Sequence, residues 1–467
     1  MTVNGGSDYL VVGAGAMGMA FTDVLMSETE ATVTIVDRHG RPGGHWNDSY
    51  PFVRLHQPSS FYGVNSRALG TNQKDLVGLN AGLYELASGT EVVTYFDQVM
   101  NQQFLPTGRV NYLPMCEYVG NGTVRNLVSG VETQIEAAKT VDATYMNVTV
   151  PSVTTPSYEV AEGVTCIPPN GLPDIDDTPG GYVVVGGGKT AIDSCLWLLD
   201  NGVDPDAIRW IVPRDQWMLD RASIQPGEEF AVQALLRQVE TMEIIAASVD
   251  ADQMFDELVQ QGALLQFDHL VRPTMYRCCT VTVAELDELR RIHNVIRMGR
   301  VQKMGIDRID LDHGQIPTSR GTVHVDCTAD GLANRPVRPI FEPDHLTLQT
   351  VRTCQQVFSA AFIAHVEAAY DDDETKNEIC TVVPHPNDTL DWVRTTRDNA
   401  LNSIRWNSDP DLKEWLSEAR LDGFSRAKRD KVRGPSQQQL VARIMDATPV
   451  ALGKLDQYLK EGRGVPQ

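Results

Sequence analysis

The chain has 467 residues, 42% of them hydrophobic and 22% charged, with a formal net charge of −22. That length and balance describe a globular protein of about two to three domains. The acidic surface excludes nucleic acid and anionic membranes as partners, because both are bound by basic surfaces. No apolar run is long enough to span a bilayer. The segment Met1–Asp8 lacks the basic and apolar regions of a signal peptide, so the cytoplasm is the expected location.

The first predicted unit is a strand from Tyr9, a turn Gly13-Ala14-Gly15-Ala16-Met17-Gly18, and a helix. In a G-x-G-x-x-G turn the first glycine permits the tight turn. The second lets backbone approach a pyrophosphate, and the third lets the helix pack close to the sheet. The free N–H groups at the helix N-terminus then receive the anion. A second strand, Ala31–Asp37, is rich in β-branched residues and ends in Asp37. A carboxylate there accepts from both ribose hydroxyls and repels a 2′-phosphate, so this site is expected to take FAD or NAD.

A loop-rich stretch from about Gly40 to Gly70 follows, then a helix near Thr90–Phe104. Pro151, Pro156, Pro168, Pro169, Pro173 and Pro179 mark a crossover linker. A second strand–turn–helix begins at Gly181, with Gly186-Gly187-Gly188-Lys189-Thr190-Ala191 as its turn. Its next strand, Ala207–Arg214, ends in a base instead of an acid. The Arg214 guanidinium suits a 2′-phosphate, and Lys189 lies in the turn beside the phosphates, so NADPH is expected here. Arg221 stands as a second NADPH contact or a surface residue.

Helical periodicity is predicted over Phe230–Gln261 and about Val283–Met298, as an insertion into the second unit. The chain is then expected to return to the first domain through the strand Gly321–Ala329, with Asp330 and Gly331 close to its cofactor. A helix is predicted over Val351–Tyr370, followed by a solvated acidic patch, Asp371–Glu374. The fold class is therefore α/β, with two dinucleotide-binding, Rossmann-like domains. The boundaries are 1–170 for the first part of the FAD domain, 171–319 for the NADPH domain with its helices, and 320–467 for the remainder of the FAD domain.

The cysteines are Cys116, Cys166, Cys195, Cys278, Cys279, Cys327, Cys354 and Cys380. None forms C-x-x-C or zinc-ligand spacing, so all are expected as reduced thiols, mostly buried. That argues against a flavoprotein that reduces disulfides. The histidines are scattered, and no metal site is expected.

After Asp37 the chain carries Gly43-Gly44-His45-Trp46, then Tyr50-Pro51, then Arg54-Leu55-His56-Gln57-Pro58-Ser59. Here it resembles the class B flavin-containing monooxygenase family, which shows G-G-x-W, Y-P and R-L-H-x-P-S after the first dinucleotide unit. Gly186, Gly188, Thr190, Ala191 and Asp193 are similar to the second-unit motif, and Phe61–Ser66 loosely to a segment whose asparagine, here Asn65, faces the flavin.

The resemblance implies an NADPH domain inserted into an FAD domain. It also implies a monooxygenase in which NADPH reduces FAD and dioxygen gives a C4a-(hydro)peroxide that oxygenates a small organic substrate. Gly43, Gly44 and Trp46 would line the flavin. Arg54 would stabilise negative charge in a low dielectric, and His56, Asn65 and Gln57 would serve the ring edge. Asp330 would bind the ribityl or pyrophosphate region. The linker departs from the family, because Pro156–Gly171 lacks its histidine. Two other readings stay open: an NADPH oxidase or dehydrogenase that inserts no oxygen, and a non-catalytic flavoprotein redox sensor.

Overall fold

Two parallel sheets organise the molecule. The computed structural model describes residues 6–176, 180–423 and 435–462; Pro179 of the linker and Met1–Gly5 lie outside them.

The first sheet has six strands, in the spatial order Phe341–Glu342, His345–Thr347, Ala137–Asp142, Ser7–Val12, Val33–Val36 and Val110–Leu113. All neighbours are parallel except the Phe341–Glu342/His345–Thr347 hairpin. The central strands are buried on both faces, as a doubly wound sheet requires. The helix Ala16–Glu28 packs against the helix Gln356–Ala369, and both are apolar and buried along most of their length. An antiparallel three-stranded sheet, Cys116–Gly120, Thr123–Asn126 and Glu132–Gln134, lies in the crossover before Ala137.

The second sheet has five parallel strands, ordered Asn294–Ile296, Ile208–Ile211, Tyr182–Val185, Val323–Asp326 and Thr165–Ile167. All of its strands fall between Ala137–Asp142 and His345–Thr347 of the first sheet, so one unit is inserted into the other. The linker contributes Thr165–Ile167 at the sheet edge, where a proline-rich segment is tolerated.

Three expectations are corrected. The strand around Val323–Asp326 does not return to the first sheet; it pairs with Tyr182–Val185. Its four residues are all buried, and the flanks of Tyr182–Val185 and Thr165–Ile167 supply the central position that such a run needs. The return is made later, by His345–Thr347. The Val283–Met298 stretch is helical only over Val283–Leu289 and then becomes the strand Asn294–Ile296. There the β-branched Val295 and Ile296 complete the parallel edge beside Ile208–Ile211. Finally, Cys278 and Cys354 are not thiols but a disulfide. Their Cα atoms lie 6.4 Å apart although 76 residues separate them in sequence, a proximity that local cysteine spacing does not report.

The other expected helices form. Gly89–Val99 carries a capping box from Ser88 and Glu91 and continues as a π-turn to Phe104. Glu228–Ala247 and Ala251–Gln260 make the insertion, and the C-terminal helix Pro435–Glu461 packs on Glu228–Ala247 and on Thr389–Ser408. No helix among the described residues is long and apolar enough to cross a membrane.

Candidate functional site

In open α/β sheets, ligands lie beyond the carboxyl ends of the strands, where the strand order reverses. At the first sheet this edge carries the Gly13–Gly18 turn. Gly18 has no room for a side chain: a Cβ there would stand 2.0 Å from the Gly13 carbonyl oxygen. The helix that begins at Ala16 has no side-chain cap, so its first N–H groups face outward for an anion. Gly44 lies opposite Gly15, and a Cβ on Gly44 would come within 3.0 Å of the Gly15 Cα. Gly43 N–H donates to the Ala14 carbonyl at 2.9 Å. The loop after Asp37 thus folds directly over the turn.

Asp37 is tied into this turn. Its Oδ2 accepts from Ala14 N–H at 2.6 Å, and its Oδ1 accepts from the His39 backbone N–H at 2.8 Å and from His39 Nδ1 at 3.0 Å. His39 Nε2 reaches Asp48 Oδ2 at 2.8 Å. The hydrogen bond from Asp37, with that from Asp48, raises the imidazole to about 9. His39 is therefore a cation that fixes the Asp37 carboxylate, a contact that sequence reading missed.

The loop also crosses to the second unit. Tyr50 donates to Asp193 Oδ2 at 2.7 Å, and Phe52 stacks on Trp197 with centroids 5.1 Å apart. Asp193 and Trp197 belong to the helix Lys189–Asp200, which follows the second glycine turn and also lacks a side-chain cap. Lys189 pairs with Asp193. Burial opposes the Lys189 charge, but Asp193 and Glu285 raise its ammonium above the ordinary value. Beside Gly188 the space is open, since a Cβ there would meet no atom within 4 Å. Gly186 closes the turn with φ 132, and the Thr190 carbonyl accepts from Ser194.

The ring-edge candidates have unequal surroundings. His56 Nδ1 accepts from Thr280 N–H at 3.3 Å, which leaves Nε2 as its protonated nitrogen. Burial, with Lys189 and Arg221 nearby, lowers the imidazole to about 3, so His56 is neutral. Gln57 Oε1 accepts from Gln355 Nε2 at 3.1 Å. Trp46 Nε1 donates to the Tyr62 hydroxyl at 2.7 Å, and their rings meet edge to face. Asn65 Oδ1 accepts from Leu421 N–H at 3.3 Å.

Arg54 is exposed and donates to the Leu86 carbonyl at 3.2 Å. Asp330 and Gly331 follow a strand of the second sheet, not of the first, and Asp330 Oδ1 pairs with Arg277 at 2.7 Å. Arg221 is neither on the surface nor free for a nucleotide. It is fully buried, bonded to Glu285, to Asn80 Oδ1 and to the His56 and Thr280 carbonyls.

At the carboxyl edge of the second sheet, Arg214 follows the strand Ile208–Ile211 and Arg300 follows Asn294–Ile296. Arg214 Nη2 reaches Asn387 Oδ1 at 3.2 Å. Burial and the charges of Arg300 and Arg277 lower the Arg214 guanidinium, so these cations crowd one region. Arg277 has Asp330 and Arg297 has Asp215. Among the described residues, neither Arg214 nor Arg300 has a side-chain ion pair. Asp388 acts electrostatically on Arg214 and Asp312 interacts with Arg300, in neither case through a side-chain ion pair. Arg300 was not singled out from the sequence, where it is one arginine among many after a short strand. Among the described residues no cluster of side chains is placed to hold a metal.

Comparison with known proteins follows the same lines. The chain is 55% identical over 416 residues to the uncharacterized protein Rv2000 of Mycobacterium tuberculosis, strain H37Rv, covering 89% of this chain and 77% of that one. The uncharacterized protein Mb2023 of Mycobacterium bovis matches to the same extent. The chain belongs to the family of these mycobacterial proteins. Within this family member, residues 11–59 match the NAD(P)-binding Rossmann-like domain family, a span that holds the first turn, Asp37 and the loop through Ser59. Among solved structures, it is similar to the cyclohexanone monooxygenase from Rhodococcus sp. Phi1 bound to NADP⁺. That match has 12% identity and a TM-score of 0.46, over 95% of this chain and 98% of that one. A flavin-containing monooxygenase from Stenotrophomonas maltophilia matches at 14% identity and a TM-score of 0.42, over 81% and 100%. At such scores the strand order described above, not these likenesses, carries the fold.

Proposed function

We propose that this chain is an FAD-dependent, NADPH-oxidising monooxygenase of small organic molecules. The observation that carries the reading is the joined pair of nucleotide edges. An acid-ended edge with an uncapped helix and a base-ended edge with an uncapped helix are bridged by one loop, Gly43–Ser59, which touches both.

The residues suit the two cofactors. Asp37 keeps a lone pair on Oδ2 for a ribose hydroxyl beyond its bond to Ala14, while Oδ1 is taken up by the His39 backbone N–H and Nδ1. Gly15 and Gly44 let the loop lie against the turn, and the uncapped helix at Ala16 would receive the pyrophosphate. Gly188 and the helix at Lys189 offer the same to the second dinucleotide, with Arg214 and Arg300 for its 2′-phosphate. When bound, FAD supplies hydride acceptance and the activation of dioxygen.

The chain's own residues then hold and shield. Tyr50 and Phe52 dock the loop on the second unit. Neutral His56 presents Nε2–H as a donor, and Gln57 is fixed by Gln355. Arg54 serves as an exposed brace on Leu86.

The test uses the protein as purified. Expected are one FAD per chain, NADPH consumed faster than NADH, and, with an accepted amine, sulfide or ketone, less hydrogen peroxide released than NADPH consumed. Absence of bound flavin and of FAD binding would refute the reading. Peroxide equal to NADPH with every acceptor offered would instead favour the oxidase.

A further inference from the structure

We propose that Cys278–Cys354 is a thiol-responsive clamp on His56 and Gln57. Cys278 lies in the strand Met275–Val281 of the second unit, and Cys354 lies two residues before the helix Gln356–Ala369 that packs on the first. Two residues after Cys278, Thr280 N–H donates to His56 Nδ1 at 3.3 Å. One residue after Cys354, Gln355 Nε2 donates to Gln57 Oε1 at 3.1 Å. The bond between the two sulfurs therefore closes a ring: Cys278, Thr280, His56, Gln57, Gln355, Cys354. Consecutive residues of the Gly43–Ser59 loop are thus each held by one of two segments, and the disulfide cross-links those segments directly.

The cross-link is built to open. Both cysteines hold left-handed backbone, with φ 56 at Cys278 and φ 58 at Cys354, a conformation that non-glycine residues favour little. The strand carrying Cys278 shifts register against Gln216–Asp220 between Trp217 and Leu219, where that cysteine is inserted. Cys278 is buried, whereas Cys354 is half-buried and is the more accessible residue of the pair. Disulfides that are strained or accessible are the labile ones.

The step is ordinary thiol–disulfide exchange. The thiolate of a small thiol attacks Cys354 Sγ, a mixed disulfide forms, and Cys278 leaves as a thiolate and takes up a proton. A second equivalent of thiol attacks the mixed disulfide, freeing Cys354 as a thiol and releasing the small-molecule disulfide. One protein disulfide and two thiols give two protein thiols and one disulfide. With the clamp open, the strand Met275–Val281 is free to draw away from His56, and Gln355 from Gln57.

The consequence for turnover rests on the function proposed above. The clamp itself does not, so its test reads structure and not activity. The protein as purified, without added cofactor, is unfolded and alkylated before and after dithiothreitol, and hydrogen exchange is followed on the folded chain under both conditions. Six cysteines are free in the structure, so six alkylations are expected before reduction and eight after it. Exchange in peptides covering 54–59 and 276–282 should become about ten-fold faster on reduction. Cys354→Ala should show the faster exchange without dithiothreitol and no further response to it, while Cys116→Ala should behave as the unaltered chain. Eight alkylations before reduction overturn the proposal, and so does full reduction with unchanged exchange at 54–59. Should Cys354→Ala fail to fold, the reduction of the unaltered protein decides the matter.

Discussion

The Tyr50 hydroxyl donates to Asp193 Oδ2 at 2.7 Å, and this bond joins the loop after the first glycine turn to the helix after the second. Burial raises the Tyr50 phenol far above its ordinary value, and Asp193 raises it further, so the hydroxyl remains a donor across the working pH range. A hydrogen bond to a charged acceptor contributes about 1.5–3 kcal/mol. Tyr50→Phe should cost stability in that range. Asp193→Asn should cost at least as much, because Lys189 also loses its carboxylate. The double variant should fall short of the sum, as coupled partners do. Urea unfolding of the four proteins measures this, and simple additivity would show that the bond does not couple the units.

Arg221 spans the same junction from a fully buried position, with Glu285 Oε2 at 2.9 Å. Removing one partner of a buried ion pair strands the other charge, at a cost of about 3–5 kcal/mol. Arg221→Ala should therefore lower the unfolding midpoint sharply. Arg221→Met combined with Glu285→Leu should recover most of the loss, since two apolar groups of similar volume leave no orphaned charge. If the double variant is as unstable as the single one, the hydrogen bonds of Arg221 to the His56 carbonyl and Asn80 matter more than the pair.

The features that the sequence disclosed are local ones. The glycine turns, Asp37 and Arg214 each follow a β-branched strand within a few residues, so their places at the strand ends are written in one window. What stayed hidden depends on distant partners. Arg221 meets Glu285 across 64 residues and Asn80 across 141, and an arginine read alone belongs on the surface. Cys278 and Cys354 are equally remote from each other. The return strand was misplaced for a different reason. Val323–Asp326 has the composition of any buried parallel strand, and composition does not say which of two similar sheets will take it. His345–Thr347, which does return, is only three residues long and gave no signal of its own.

Arg214 and Arg300 lie beyond the ends of adjacent strands, without side-chain ion pairs among the described residues. If they hold a 2′-phosphate, Arg214→Ala should weaken NADPH binding by about 1.5–3 kcal/mol, roughly ten- to a hundred-fold in Kd or KM. NADH should be little affected. Arg300→Ala should act in the same direction but less, because that side chain is exposed. Titration of both coenzymes against both variants decides. Equal losses for NADPH and NADH would remove the 2′-phosphate role.

Stability should respond to pH through two histidines of opposite sign. His39 is raised to about 9 by its hydrogen bonds to Asp37 and Asp48. Its folded form binds the proton more tightly than the unfolded chain does. The stabilisation is therefore complete below about pH 6.5 and is lost as pH rises through about 9. Because the ring is partly solvated, this contribution is on the order of 1 kcal/mol. His56 is lowered to about 3 by burial. Its neutral form belongs to the fold, so the stabilisation is present above about pH 6.5 and is lost as the unfolded chain takes up protons at lower pH, by about 2 kcal/mol at pH 5. His45 and His385, each lowered to about 4 by burial, add to the acid limb. Denaturant unfolding at pH 5, 7 and 9 should show a loss at both ends. His39→Gln should flatten the alkaline side alone, and His56→Gln should reduce the acid side without abolishing it. An alkaline limb unchanged in His39→Gln would mean that the Asp37–His39–Asp48 chain is not the group that titrates there.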